Sequence, residues 1–222
     1  MGIKSIMNTD RLYWLGRYSE RVYTTLKLFS QSFDSLLEQD GQDYGSFCAS
    51  LEIPNIYASK EDFIGTYAFS GDDPNSIRSN LLRAYDNAIE LREEIGSESL
   101  SYIQMAIYEM DAAERSQAPV LHFQKITDAI LAFWGCVDDQ IDDENTRNII
   151  KIGKRVERLD LCARLEKEPV AITRELHRLA GRIDRTELLY DKEALGQLKR
   201  LVEAPRLDYM EIVRTVERLV EC

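Results

Sequence analysis

The sequence predicts an all-α protein, a single compact helical bundle of seven to nine helices over residues 1–222. Apolar residues recur at helical spacing along most of the chain, and short clusters of Gly, Pro and capping residues separate these stretches. No segment shows the alternation typical of a β-strand. With 44% hydrophobic residues, the chain can bury one substantial core, either as one large domain or as two tightly packed halves.

The first predicted helix is long. Asn8, Thr9 and Asp10 offer capping side chains. From Leu12, apolar or small residues recur with a seven-residue repeat, and the helix is expected to end near Gly41.

Residues 41–73 are expected to form a less regular connecting segment because the helical periodicity fails there. Within it, Ser59 begins a capping box that opens a short helix through Phe69. Asp73 and Pro74 then predict the cap and the first residue of the next helix.

The later helices follow from the same rules of periodicity, capping and interruption. Residues 131–137, LAFWGCV, are hydrophobic nearly all round and predict the central helix of the bundle. The other expected helices cover residues 74–95, a stretch from about 97 to 117, a stretch containing 149–163, and residues 170–183, 191–203 and 208–220.

Two nonapeptides, 137 residues apart, share one pattern. Residues 15–23 read LGRYSERVY and residues 152–160 read IGKRVERLD. On a helix, the Gly and the Glu four residues later lie on one face, and the carboxylate leans back over the glycine. Each element therefore predicts a notch beside a carboxylate. The shared phase of the apolar positions predicts that these two Gly-x-x-x-Glu-Arg helices pack near each other.

A polar cleft between the two elements is one interpretation. In an enzyme, Glu20 or Glu157 would act as the catalytic general base toward a substrate amine, while arginines hold a carboxylate or phosphate. The candidate substrate-binding residues are Gly16, Arg17, Arg21, Asn87, Arg92, Gly153, Lys154 and Arg158. The alternative is a structural clasp, in which Glu20 pairs with Arg158 and Glu157 with Arg21 in buried salt bridges.

Composition excludes several classes of protein. The net charge of −11 argues against a nucleic-acid partner. No stretch approaches about 20 uninterrupted apolar residues and no signal-peptide core is present, so no membrane partner and a cytoplasmic location are expected. Four cysteines lack metal-ligand spacing and are expected to be free thiols, and neither His122 nor His177 suits a metal site, so no metal is expected.

An aspartate-rich stretch carries a remote alternative. Residues 138–142 read DDQID, the pattern with which all-α prenyl transferases hold Mg²⁺-bound diphosphate. The chain shows no second aspartate-rich helix, so an acidic turn between helices is the preferred interpretation of Asp138–Asp142.

Three stretches, in order along the chain, resemble the blocks of the alpha-E domain family, a helical domain with a Glu-Arg motif. Residues 13–21 (YWLGRYSER) resemble its opening signature, residues 87–98 (NAIELREEIGSE) its middle block, and residues 153–165 (GKRVERLDLCARL) its later block. The sequence departs from the pattern at Lys154, where Arg is more usual, and at Ser99-Leu100, where an aromatic residue is common.

The resemblance implies a context for the protein. Alpha-E members are typically encoded beside, or fused to, circularly permuted ATP-grasp ligases and transglutaminase-like proteins. The resemblance therefore implies ATP-dependent amide or peptide bond formation, or peptide modification, on a small-molecule or peptide substrate. ATP and Mg²⁺ would act through the ligase partner, and this chain is expected to bind no cofactor itself. A non-catalytic adaptor or scaffold remains the alternative.

Overall fold

Helices make up nearly all the regular structure of residues 3–37 and 43–220, which are the residues that the computed structural model describes; side chains are described from residue 7. These residues contain no β-strand, and an isolated β-bridge joins Tyr190 and Val220. The ten described helices are α1 (Ile3–Leu37), α2 (Tyr44–Leu51), α3 (Lys60–Phe69), α4 (Ile77–Glu90), α5 (Arg92–Arg115), α6 (Pro119–Asp139), α7 (Glu144–Arg164), α8 (Pro169–Ile183), α9 (Lys192–Glu203) and α10 (Tyr209–Glu217). The all-α fold class is confirmed.

The beginning of α1 differs from the prediction. The helix starts at Ile3, so Asn8, Thr9 and Asp10 lie inside it and do not cap it. Residues 3–7 contain no Gly or Pro and are themselves compatible with a helix. The preference of Asn, Thr and Asp for capping positions therefore does not determine where this helix begins. The end expected near Gly41 lies outside the described residues, which follow α1 to Leu37.

Helix α2 corrects the expectation of an irregular segment over residues 41–73. Asp43 caps α2 by accepting a hydrogen bond from the amide of Gly45 at 3.1 Å, and Phe47, Cys48 and Leu51 are buried. Eight residues are too few to show a helical period in the sequence. The Ser59 cap that opens α3 is confirmed, because Ser59 Oγ accepts from the amide of Asp62 at 3.2 Å, while the Asp62 carboxylate accepts from the amide of Ala58, one residue before the cap, at 2.8 Å.

The start of α4 is also different from the prediction. Ser76 caps the helix by accepting from the amide of Ser79 at 2.9 Å, three residues after the expected cap. Asp73 instead accepts from the amide of Asn75 at 2.9 Å and from the hydroxyl of Tyr57 at 2.9 Å. Its carboxylate therefore stabilises the turn that precedes the helix.

Several later boundaries are confirmed. Gly96 has φ +79°, a left-handed conformation that favours glycine, and it interrupts α5 where the sequence predicts a break. Pro119 and Pro169 stand at the first turns of α6 and α8. Asp191 and Asp208 cap α9 and α10 through their side chains, as predicted.

The chain divides into two compact units. Unit 1 comprises Met1–Arg17 and Asp143–Cys222, and unit 2 comprises Tyr18–Asp142. Unit 1 is built around α7, which carries eleven buried residues and packs against α8 and α10. Unit 2 has an aromatic core, in which the ring of Phe29 lies 5.8 Å to 6.2 Å from five other rings, those of Phe33, Phe47, Phe63, Tyr67 and Phe123.

Helix α6 is less enclosed than its composition suggests. Phe133 and Val137 are fully buried, but Leu131 and Gly135 are exposed, so one face of the helix lies open. The sequence predicts that residues 131–137 form the central helix of the bundle, and this exposed face differs from what a central helix would show. Among the described helices, none is long and apolar enough to cross a bilayer.

Candidate functional site

The two motif glycines lie at one crossing of α1 and α7 within unit 1. A Cβ atom on Gly16 would lie 2.0 Å from the carbonyl oxygen of Ile150, and a Cβ atom on Gly153 would lie 2.1 Å from that of Tyr13. Each glycine thus faces the carbonyl group three residues before the other glycine. The repeat in the sequence therefore corresponds to a repeat in the structure, because the two contacts are related as if by a twofold axis.

This crossing corrects the interpretation of Gly16 and Gly153 as substrate-binding notches. The space beside each glycine is filled by main chain of the other helix, and a real Cβ atom does not approach an oxygen to 2 Å. Glycine permits two helix backbones to approach more closely than any other residue does. The notches therefore serve helix packing.

Glu157 lies one turn beyond the crossing and is 1% exposed. Its carboxylate accepts a hydrogen bond from Arg17 Nε at 2.8 Å, and the Arg17 guanidinium also lies over the ring of Trp14, 5.0 Å from the ring centroid. Burial disfavours the guanidinium charge, but the nearby Glu157, Tyr13 and Asp160 outweigh it, so the pKa of Arg17 is raised above its ordinary value. The Arg17 guanidinium therefore stays charged at neutral pH.

A cation that the clasp interpretation does not name lies against Glu157. That interpretation pairs Glu157 with Arg21, and the structure places Arg17, one turn earlier, against the carboxylate. Arg17 directly follows the contact glycine, where the two backbones are closest, so its side chain reaches α7. Glu20 belongs to unit 2, where it is fully buried and accepts from Thr24 Oγ1 at 3.0 Å. Arg21 also belongs to unit 2, and its carbonyl accepts from Thr25.

A second buried carboxylate on α7 is that of Asp160. It accepts from Arg164 Nε at 2.9 Å, and Arg164 donates from its other end to Glu217 of α10 at 2.7 Å. Asp160 is 1% exposed, while the side chain of Glu217 is 56% exposed. The chain of charges therefore runs from the interior of unit 1 to its surface and joins α7 to α10.

The third buried carboxylate, Glu175 of α8, gathers arginines from two helices. Arg155 of α7 donates to it at 2.6 Å and Arg178 at 3.1 Å, and Arg174 lies 3.5 Å away. Burial opposes ionisation of Glu175, but Arg155, Arg158 and Arg178 outweigh it and hold the pKa of the carboxyl group below its ordinary value. This ionised cluster links α7 to α8.

Of the remaining predicted site residues, two belong to unit 2 and two to α7 in unit 1. Asn87 and Arg92 belong to unit 2, where Asn87 accepts from the amide of Leu91 through its carbonyl and Arg92 donates to Ser97 at 3.1 Å. Lys154 and Arg158 are half-buried on α7 in unit 1. The positive charge of Arg158 helps to lower the pKa of Glu175.

The aspartate-rich stretch ends α6 and continues into the connection that follows. Asp138, Asp139 and Asp142 are exposed, and Asp143 caps α7 by accepting from the amide of Thr146 at 2.6 Å. In the part of the chain that the structure describes, no group of three or more His, Cys, Asp or Glu side chains could hold a metal ion. The arrangement is that of an acidic turn.

The sequence contained a signal for Glu175. The apolar residues Ile172, Leu176, Leu179 and Ile183 define the buried face of α8, and Glu175 falls on that face. A carboxylate on a buried face requires a cation. The partner could not be assigned from sequence, because several arginines of α7 and α8 lie at compatible helical positions.

The fold and this site define a class of all-α protein in which two Gly-x-x-x-Glu-Arg helices cross at their glycines beside a buried, arginine-paired glutamate. Residues 8–205 match a family model described as Alpha-E, "a predicted alpha-helical domain with a conserved ER motif". The chain belongs to the Alpha-E family. Searches of curated proteins and of solved structures return no match.

Proposed function

We propose that this Alpha-E protein is a non-catalytic accessory partner of a circularly permuted ATP-grasp ligase, a transglutaminase-like protein, or both. In this role it supports ATP-dependent formation of amide or peptide bonds, or modification of peptides. The observation that carries the accessory role is the burial and ion pairing of Glu157. The choice of partner rests on the gene context typical of the family.

The state of the two motif glutamates supports a structural role. A general base must come within hydrogen-bonding distance of the proton that it removes. Glu157 is 1% exposed and its carboxylate is engaged by the Arg17 guanidinium, so a substrate would have to displace this contact to reach it. Glu20 is fully buried as well. Neither carboxylate is presented to a substrate.

The thiols of Cys48 and Cys136 do not supply a nucleophile either. Burial, followed by nearby carboxylates, raises the pKa of both thiols, so both are protonated at neutral pH. Activation of a carboxylate by ATP and Mg²⁺ would therefore be the work of the ligase, and the helical protein would bind the ligase or its small-molecule or peptide substrate.

The proposal is tested by reconstituting the reaction with a circularly permuted ATP-grasp ligase from the same organism. ADP release and amide product are measured with and without the Alpha-E protein, using wild type, Glu157→Gln, and Glu217→Gln as an exposed control. We expect product to require the Alpha-E protein, and Glu157→Gln to support turnover within about twofold of wild type below its melting temperature.

Two outcomes would contradict the proposal in different ways. A folded Glu157→Gln protein that loses turnover by about a hundredfold or more would assign a catalytic role to the carboxylate. A ligase whose turnover is the same with and without the wild-type protein would reject the partnership itself.

A further inference from the structure

The two units carry very different charge. Unit 1 contains 20 Lys and Arg against 17 Asp and Glu, whereas unit 2 contains 8 against 22. The overall charge of −11 therefore conceals a unit that is slightly cationic. Several of its cations gather on the surface formed by α7 and α8, defined here as the α7–α8 basic surface: Lys151, Arg155, Arg174, Arg178 and Arg182.

A buried carboxylate, that of Glu175, lies against three of these cations. Glu175 accepts from Arg155 at 2.6 Å and from Arg178 at 3.1 Å, with Arg174 at 3.5 Å. A single negative charge cannot neutralise three guanidinium groups. Arg155 Nε is buried and has no hydrogen-bond partner among the described residues. Positive charge thus remains in excess around Glu175.

The cations at one end of this surface repel one another. Burial lowers the pKa of Arg182, and Arg155, Arg178 and Arg185 lower it further. Burial and then Arg182 and Arg155 likewise lower the pKa of Lys151. Like charges held together at a partly buried surface cost free energy unless an anion joins them.

The geometry suits a compact ligand that bears several negative charges. Positions 174, 178 and 182 recur every four residues, so they form one row along α8 with a rise of about 6 Å per step. The side chains of Arg174 and Arg178 are 58% and 47% exposed and can turn toward a ligand. A shallow depression of about 460 Å³, lined in part by Val170, Thr173 and His177, adjoins them.

We propose that the α7–α8 basic surface is a binding site for a polyphosphate group, free or as part of a phosphate ester. Guanidinium groups donate pairs of parallel hydrogen bonds to phosphate oxygens, and two or three linked phosphates carry enough charge to bridge neighbouring arginines. The adjoining depression would accept the organic part of an ester. The net charge of −11 disfavours a long nucleic acid, whose charge extends beyond this surface. The site is independent of the proposed accessory role.

The test uses tripolyphosphate as the probe, with titration calorimetry and amide chemical shifts of the full chain at about 150 mM NaCl, where weak surface attraction is screened. The test variant is Arg174→Gln/Arg182→Gln, which spares the two guanidinium groups hydrogen-bonded to Glu175. The matched control is Arg200→Gln/Arg206→Gln, which removes the same charge from exposed positions in the same unit.

We expect the test variant to weaken binding at least about tenfold and the control to remain within about twofold. Shifts on wild-type protein should concentrate in residues 151–155 and 170–182. If ATP binds as tightly as tripolyphosphate, with added chemical-shift changes at residues 170–177, the form bound is an ester. If tripolyphosphate binds and ATP does not, the form bound is a free polyphosphate.

Three results would overturn the assignment. One is no binding by the wild type up to about 10 mM probe, and another is equal weakening in both variants. The third is tighter binding of a single-stranded oligonucleotide than of tripolyphosphate. Circular dichroism of both variants ensures that a loss of binding is not a loss of fold.

Discussion

The two units are stabilised by different kinds of interior. In unit 2, six aromatic rings surround one another, and burial of apolar surface needs no exact partner. In unit 1, α7 and α8 bury Glu157, Asp160 and Glu175, each held by an arginine. A buried charge that loses its partner is costly. The interior of unit 1 is thus specified by particular ion pairs, whereas that of unit 2 is specified by how its apolar side chains fill the available volume.

The chain offers a natural way to observe each unit separately. Trp14 lies in unit 1 and Trp134 in unit 2, and the sequence contains two tryptophans in all. In Trp14→Phe the fluorescence reports on unit 2, and in Trp134→Phe it reports on unit 1. The stability predictions below are measured by urea unfolding in these backgrounds.

The largest expected effect is in the aromatic core. Phe29→Ala should destabilise unit 2 by about 4 kcal/mol, because it leaves a cavity where five rings meet. The change should vary little with salt, since no charge is involved. A loss below about 1 kcal/mol would mean that the aromatic cluster collapses around the gap and is not the main support of this unit.

Glu157→Gln should destabilise unit 1 by about 3 kcal/mol, because Arg17 keeps its charge in a buried position and loses the carboxylate that it contacts. The exposed member of another ion pair is the control: Glu217→Gln should cost less than about 1 kcal/mol. Equal losses in the two variants would contradict the view that burial gives the Arg17–Glu157 pair its importance.

Gly153→Ala should destabilise unit 1 by about 1–3 kcal/mol, because the new methyl group meets the carbonyl oxygen of Tyr13. Gly181→Ala on α8 is the matched control. Nothing lies within 4 Å of its Cβ position, so alanine should stabilise the helix by about 0.5–1 kcal/mol. If both substitutions stabilise, the helices do not cross at their glycines.

The smallest expected effect is on the stability of unit 1 at acidic pH. The folded-state pKa of Glu175 is lowered from its ordinary 4.5, so its contribution to stability is present above that pH and is lost as the pH falls through the folded-state value. The free energy of unfolding of unit 1 should therefore fall more steeply below about pH 4.5 in wild type than in Glu175→Gln. Parallel pH profiles would show that Glu175 is not held ionised by Arg155.

Much of the fold follows from local patterns in the sequence. The capping residues Ser59, Asp191 and Asp208 and the break at Gly96 mark helix boundaries through interactions within a few residues. Helix α2 could not be recognised, because eight residues carry too little periodicity. The exposed face of α6 was equally hidden, since Leu131 is apolar whether or not another helix covers it.

For the site, the sequence by itself determined the residue types and their helical phase: two glycines, each followed by a cation and a glutamate, on helices that pack together. Only the tertiary structure decided what these residues contact. It fills the glycine notches with backbone, places Arg17 against the Glu157 carboxylate, and places Arg155 against the Glu175 carboxylate. The reason is physical. Helical phase fixes the direction of a side chain to within one face, whereas pairing depends on where two helices cross, and that point is set by the packing of both surfaces.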